Sequence, residues 1–101
     1  MMTHFGTTGL MVSRIGLGLA ALGRPAYITI DRSADLGSDR SIEAMEVRCH
    51  DMLDAAYQAG VRYVDTARGY GLAERFLASW LARRHIDPSA IVVGSKWGYR
   101  Y

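Results

Sequence analysis

Val61-Arg62-Tyr63-Val64-Asp65 runs into Thr66-Ala67-Arg68-Gly69-Tyr70-Gly71, and then into Leu72-Ala73-Glu74-Arg75-Phe76-Leu77-Ala78-Ser79-Trp80-Leu81. The first five residues read as a β-strand, and the glycine-punctuated six that follow read as a turn. Ala73, Phe76, Leu77, Trp80 and Leu81 then recur at three- and four-residue steps, the period of a helix with one apolar face. That helix runs out near His85, ahead of Asp87-Pro88. Trp80 and Phe76 lie on the periodic stripe and are expected as core anchors.

Working outward, the same alternation appears on both sides. Upstream, Ile42, Met45, Cys49, Met52, Leu53, Ala56 and Ala59 mark an apolar helical stripe, with Glu43, Glu46, His50, Asp54 and Gln58 between them. Gly60 is placed to end that helix through a left-handed cap. Cys49 is expected in the core and His50 in solvent. Downstream, Ile91-Val92-Val93-Gly94-Ser95 is a short apolar run, as expected of a strand buried on both faces. Strands that alternate with amphipathic helices imply a parallel sheet with right-handed crossovers.

The front of the chain reads as a hairpin around Gly6-Thr7-Thr8-Gly9 and Leu10 to Ser13, followed by a buried, glycine-rich strand over Ile15–Leu22. Gly16-Leu17-Gly18-Leu19-Ala20-Ala21 matches the dinucleotide fingerprint, which requires a helix to open at its last positions. Leu22-Gly23-Arg24-Pro25 continues with no helical period, which favours instead a strand whose small residues admit a close neighbour. Arg24 to Arg40 reads as a long loop and a candidate pocket wall.

Composition narrows the function classes. With 101 residues, half of them hydrophobic and 22% charged, the chain is sized for one folded domain. The longest weakly polar stretch, Ile15 to Gly23, is far short of the roughly 20 apolar residues of a membrane span. No secretory signal stands at the front, and a single cysteine permits neither an internal disulfide nor a cysteine-based metal site. A cytoplasmic protein without a metal is expected. The net charge of +2 is scattered, and Arg83-Arg84-His85 reads as a solvated helix end, so no nucleic-acid partner is expected. Eleven arginines stand against one lysine, Lys96. Lysine is tuned by its surroundings in ways arginine is not.

Three ionisable residues fall where parallel strands end: Asp65, Tyr70 in the turn after it, and Lys96. Active sites of α/β barrels and open parallel sheets lie at such ends. Asp65 follows Tyr63-Val64 directly and is expected nearly buried, in need of a partner that Lys96 supplies. On spacing alone a structural ion pair is one reading, since breaking a buried pair is costly. Tyr70 opens the other. A phenol ordinarily titrates at about 10, too high to deliver protons readily near neutrality. A neighbouring ammonium favours phenolate, and a carboxylate holds that ammonium in place. Asp–Lys–Tyr is thus a proton-donating device suited to reducing an aldehyde or ketone by hydride.

Gly60-Val61-Arg62-Tyr63-Val64-Asp65-Thr66-Ala67-Arg68-Gly69-Tyr70-Gly71-Leu72-Ala73-Glu74 resembles the signature of the aldo-keto reductases. Thr8-Gly9-Leu10-Met11-Val12-Ser13-Arg14-Ile15-Gly16-Leu17-Gly18 and Val93-Gly94-Ser95-Lys96 extend the resemblance over nearly the whole chain except the Arg24–Arg40 loop. It implies an α/β fold, a partial (β/α)₈ TIM barrel with an N-terminal β-hairpin. It implies NADPH (NADP) as cofactor and a small-molecule carbonyl substrate. Tyr70 would be the proton donor, Lys96 its modulator and Asp65 the partner of Lys96, these three being the catalytic residues. Gly18, Leu19 and Ala20, with Asp65, would border the nicotinamide. Tyr27 and Trp97 are the candidates for the substrate pocket.

Two departures accompany the resemblance. Ala78 stands where many relatives have glycine. A barrel of this type needs about 250 residues, so residues 1–101 are expected to be the N-terminal part of one barrel domain, with about three of eight strands. The family's tetrad histidine follows a fourth strand, and His4, His50 and His85 are not in its place. The isolated chain is therefore expected to be inactive. A non-catalytic binding or regulatory protein on the same fold, or a truncated functionless product, are the alternatives. Nothing in the residues sets an oligomeric state.

Overall fold

The structure, a computed structural model, describes residues 2–23 and 42–97. Strands β1 (Met2–His4) and β2 (Met11–Ser13) form an antiparallel hairpin in the register Met2 to Ser13. Gly6 and Gly9 take φ of 58° and 82° at its turn, a region that side chains disfavour. Strand β3 (Leu17–Gly18), helix α1 (Ile42–Gln58), strand β4 (Tyr63–Asp65), helix α2 (Ala73–Arg83), a 3₁₀ turn (Pro88–Ala90) and strand β5 (Val92–Gly94) follow. β3, β4 and β5 pair in that order, all parallel, with Gly18, Asp65 and Gly94 in one register row.

Local chemistry sets the element ends. Gly60 adopts φ 100°, its N–H reaches the Tyr57 carbonyl at 3.1 Å, and the Val61 N–H reaches Ala56 at 3.0 Å. That double closure is the glycine cap expected for α1. At α2 the same pattern closes on His85, with φ 53° and the Ile86 N–H 3.0 Å from the Leu81 carbonyl. Asp87 accepts the Ser89 N–H at 2.8 Å and opens the turn that Pro88 begins.

The core lies between the two helices and the sheet. Leu19, Cys49 and Leu53 meet Val64, Phe76 and Trp80 there, all at most 1% exposed. Burial pushes the Cys49 thiol up to about 12, as befits a core residue.

Four expectations are corrected. The strand predicted over Ile15–Leu22 is confined to Leu17–Gly18. The Ser13 hydroxyl bonds the Ile15 carbonyl at 2.6 Å, leaving Ile15 72% exposed, and the chain turns where the Leu22 N–H meets Leu19 at 3.1 Å. No helix opens over residues 20–23, as the close-packing reading requires; a Cβ on Gly16 would sit 2.6 Å from the Tyr63 ring. β5 is not buried on both faces: Val92 is half-buried and Val93, on the opposite face, is exposed, because no described element covers that side. Ile42 and Met52 are exposed, since the apolar stripe of α1 is wider than its contact with α2 and the sheet.

His50 is the fourth. It is 4% exposed, with Nε2 2.8 Å from the Ser79 hydroxyl and 3.1 Å from the Phe76 carbonyl. Ser79 in turn donates to Glu46 at 2.6 Å, holding that carboxyl below its usual range. One helical step on, Asp54 accepts the Trp80 indole N–H at 2.8 Å and the Arg84 guanidinium at 2.9 and 2.8 Å. Glu46, His50 and Asp54 are spaced by four residues and so form a single row along α1. That polar row faces α2 rather than solvent. Arg83, Arg84 and His85 are exposed at the end of α2, as expected of a solvated helix end, and from there Arg84 reaches Asp54.

The Asp54 carboxyl, bonded by Arg84 and then Trp80, is lowered to about 2. An unfolded chain titrates its aspartates at about 3.9. A depressed native value stabilises the fold above the unfolded value, and that stabilisation is lost as pH falls through the native one. Asp54→Asn should therefore be less stable than wild type near neutrality, with the gap closing between about pH 4 and about pH 2. Urea midpoints measured across that range check this; a gap that is independent of pH would contradict it.

Candidate active site at the strand ends

The parallel ladder continues past the strands themselves. The Leu19 N–H donates to the Asp65 carbonyl at 2.9 Å, Thr66 to Gly94 at 2.8 Å, and Arg68 to Lys96 at 2.9 Å. These bonds hold the segments after β3, β4 and β5 side by side at one rim. Asp65, Tyr70 and Lys96 meet there.

The Lys96 ammonium lies 3.0 and 3.2 Å from the two Asp65 carboxylate oxygens and 2.9 Å from the Thr66 carbonyl. It stands 4.7 Å from the centroid of the Tyr70 ring. Hydrogen bonds to Asp65 and then to Tyr70 raise the lysine above its ordinary value, so it is an ammonium throughout the neutral range. Asp65 is not nearly buried: its side chain is 43% exposed and that of Lys96 is 51%. Val64 fills the core side of the strand, and Asp65 at its end is turned to the open rim. Exposed pairs contribute little to stability. The geometry around this ammonium therefore has no strong structural motive.

Tyr70 is fixed from its backbone. Its N–H meets the Ala67 carbonyl at 3.0 Å, its carbonyl takes the Ala73 N–H at 3.1 Å, and Gly71 turns away at φ 60°. Gly23, whose role the sequence did not disclose, presses on the same place. Its carbonyl accepts the Leu72 N–H at 2.9 Å, and a Cβ there would lie 2.2 Å from the Ala73 nitrogen and 2.8 Å from the Tyr70 carbonyl. The turn after β3 thus holds the turn that carries Tyr70.

The residues expected beside the nicotinamide divide. Gly18 is exposed next to Asp65, and a Cβ on it would meet nothing within 4 Å, so the backbone there lies open. Leu19 sends its side chain wholly into the core and offers the site only its main chain; Ala20 is half-buried. Trp97 is 86% exposed just beyond Lys96, and Tyr27 lies outside the described residues. A cavity of about 300 Å³ opens elsewhere, at Asp54, Tyr57, Trp80 and Arg84, and shares no residue with the rim.

Gly23→Ala should cost about 1–3 kcal/mol through overpacking against main chain that has no room to yield. Gly18→Ala should leave stability nearly unchanged. Thermal unfolding of the two variants checks the contrast, and equal losses would contradict it.

The aldo/keto reductase family profile matches residues 14–101. The aldo-keto reductase AusK of Emericella nidulans is 34% identical over 97 residues, which is 94% of this chain and 21% of that protein. The NADH-specific methylglyoxal reductase of Escherichia coli is 33% identical over 94 residues, 92% of this chain and 25% of that protein. The chain thus spans about a quarter of the length of such curated relatives. The crystal structure of PA4992 from Pseudomonas aeruginosa, described as an aldo-keto reductase, superposes with a TM-score of 0.67 at 31% identity. That match covers 99% of this chain and 32% of the other. The described sheet is open at both edges, and its mixed α/β order agrees with a TIM-barrel family. Profile, relatives and structure concur, and the chain belongs to the aldo/keto reductase family.

Proposed function

We propose that residues 1–101 form the N-terminal part of a barrel domain that reduces a small aldehyde or ketone to an alcohol with NADPH. Tyr70 is the proton donor in this reading. The observation that carries it is the Lys96 ammonium held jointly by Asp65 and Tyr70 at the parallel strand ends.

The substrate carbonyl oxygen is placed at the Tyr70 hydroxyl. As its carbon is reduced, that oxygen gains negative charge and takes the phenolic proton. The phenolate left behind is stabilised by the ammonium next to it, in geometry fixed beforehand rather than assembled during reaction. Asp65 keeps Lys96 charged and aimed, and the Thr66 carbonyl fixes a further bond of the ammonium. The reduced nicotinamide, when bound, supplies the hydride. Gly18, Leu19 and Ala20 border its ring, the first by leaving the backbone uncovered. Remaining barrel strands and most phosphate contacts come from outside residues 1–101, and these residues alone do not turn substrate over. A cytoplasmic location is part of the proposal; among the described residues no helix is long and apolar enough to cross a membrane.

The test uses a complete barrel that contains residues 1–101. Tyr70→Phe should lower turnover about 10²–10⁴-fold, the usual loss of a general acid, with cofactor affinity little changed. Lys96→Arg keeps charge but replaces a compact ammonium with a planar fork, and turnover should be lost with it. Reduction by Tyr70→Phe at the wild-type rate would refute the donor. A pH–rate profile untouched by Lys96→Arg would leave that residue a structural cation. Comparing kcat/KM for NADPH and NADH decides the cofactor, which matters because one relative is named NADH-specific.

A further inference from the structure

Ser95 stands between Gly94, the last residue of β5, and Lys96. Extended residues alternate sides, so Ser95 and Lys96 project in opposite directions. Lys96 reaches Asp65 and the Thr66 carbonyl. Ser95 reaches α2, where its hydroxyl donates to the Glu74 carboxylate. The backbone bonds of this segment come from its neighbours: the Gly94 and Lys96 carbonyls accept from Thr66 and Arg68 at 2.8 and 2.9 Å. Ser95 is held through its side chain.

Glu74 occupies the first turn of α2, one residue after Ala73, whose N–H binds the Tyr70 carbonyl. The Ser95–Glu74 bond therefore ties the residue next to Lys96 to the helical turn that Tyr70 leads into. It is charge-assisted, and such bonds are stronger and shorter than neutral ones. No step of the proposed reaction needs either group. We propose that the Glu74–Ser95 hydrogen bond is a positioning latch that sets the reach of the Lys96 ammonium to Tyr70. The inference rests on the reading of Tyr70 and Lys96 given above, and it concerns two positioning residues that touch neither substrate nor cofactor.

The chain offers a direct readout, because Lys96 is its single lysine. With ¹³Cε-lysine incorporated, one resonance reports the titration of this ammonium. Among the described residues, the charged or titratable groups facing it are Asp65 from β4 and Tyr70 from the turn. Ser95→Ala removes the latch without changing any charge, so its effect is not a direct Coulomb one. The Lys96 midpoint should fall back towards the ordinary lysine value of about 10.4 in Ser95→Ala. Ser95→Thr, which keeps the hydroxyl, should restore it. An unmoved midpoint in Ser95→Ala with the wild-type circular dichroism spectrum would overturn the latch. Should Ser95→Ala fail to fold, Ser95→Val takes its place, matching Ser95→Thr in shape and charge but lacking the hydroxyl: a lowered midpoint is expected, and an unmoved one again overturns the proposal. In the complete barrel, Ser95→Ala should lower kcat with KM little changed. The two readings fail separately. Wild-type turnover in Tyr70→Phe beside a lowered midpoint in Ser95→Ala refutes the donor and leaves the latch; the opposite pair refutes the latch alone.

Discussion

Everything at the rim depends on the parallel register that aligns Gly18, Asp65 and Gly94. A slip of one residue would turn each side chain to the opposite face, sending Asp65 towards the core and away from Lys96. The register itself is held by backbone bonds that run beyond the strands, from Leu19 to Asp65 and from Arg68 to Lys96. It is held too by Val64, which is 1% exposed and commits β4 to one orientation. Short strands of two or three residues thereby bring Lys96 to Asp65 and Tyr70, which lie some distance back in the sequence.

The helices meet the same need from behind. Trp80 and Phe76 fill the core, while Glu46, His50 and Asp54 use one row of α1 to bind α2 through Ser79, Trp80 and Arg84. Buried polar groups are costly when unpaired and specifying when satisfied. This seam fixes how α2 lies on α1, and so fixes where the first turn of α2, with Tyr70 before it, meets the strand ends.

The helices, the Gly60 cap, the parallel order and the three rim residues were legible because each has a local signature: a period, a glycine or a strand end. What was not legible depended on neighbours that sequence order does not name. His50 falls between apolar positions and so looks solvated, yet the second surface of α1 is another helix. Asp65 follows two apolar residues and so looks buried, yet a strand's last residue opens onto the rim. Gly16 and Gly23 are alike in sequence, but one faces the Tyr63 ring and the other the backbone of Tyr70 and Ala73. The roles proposed for Asp65, Tyr70 and Lys96 rest on chemistry and resemblance together; their meeting at one point is geometry.

The central claim is that the Lys96 ammonium is a fixed member of that meeting rather than a mobile surface charge. The most direct measurement is the scalar coupling across the hydrogen bond between the ¹⁵Nζ of Lys96 and the carboxylate ¹³C of Asp65 in the labelled chain. A resolved coupling, lost in Asp65→Asn, is the predicted result. An ammonium that shows no coupling to Asp65, with its protons exchanging as fast as those of free lysine, would contradict the account.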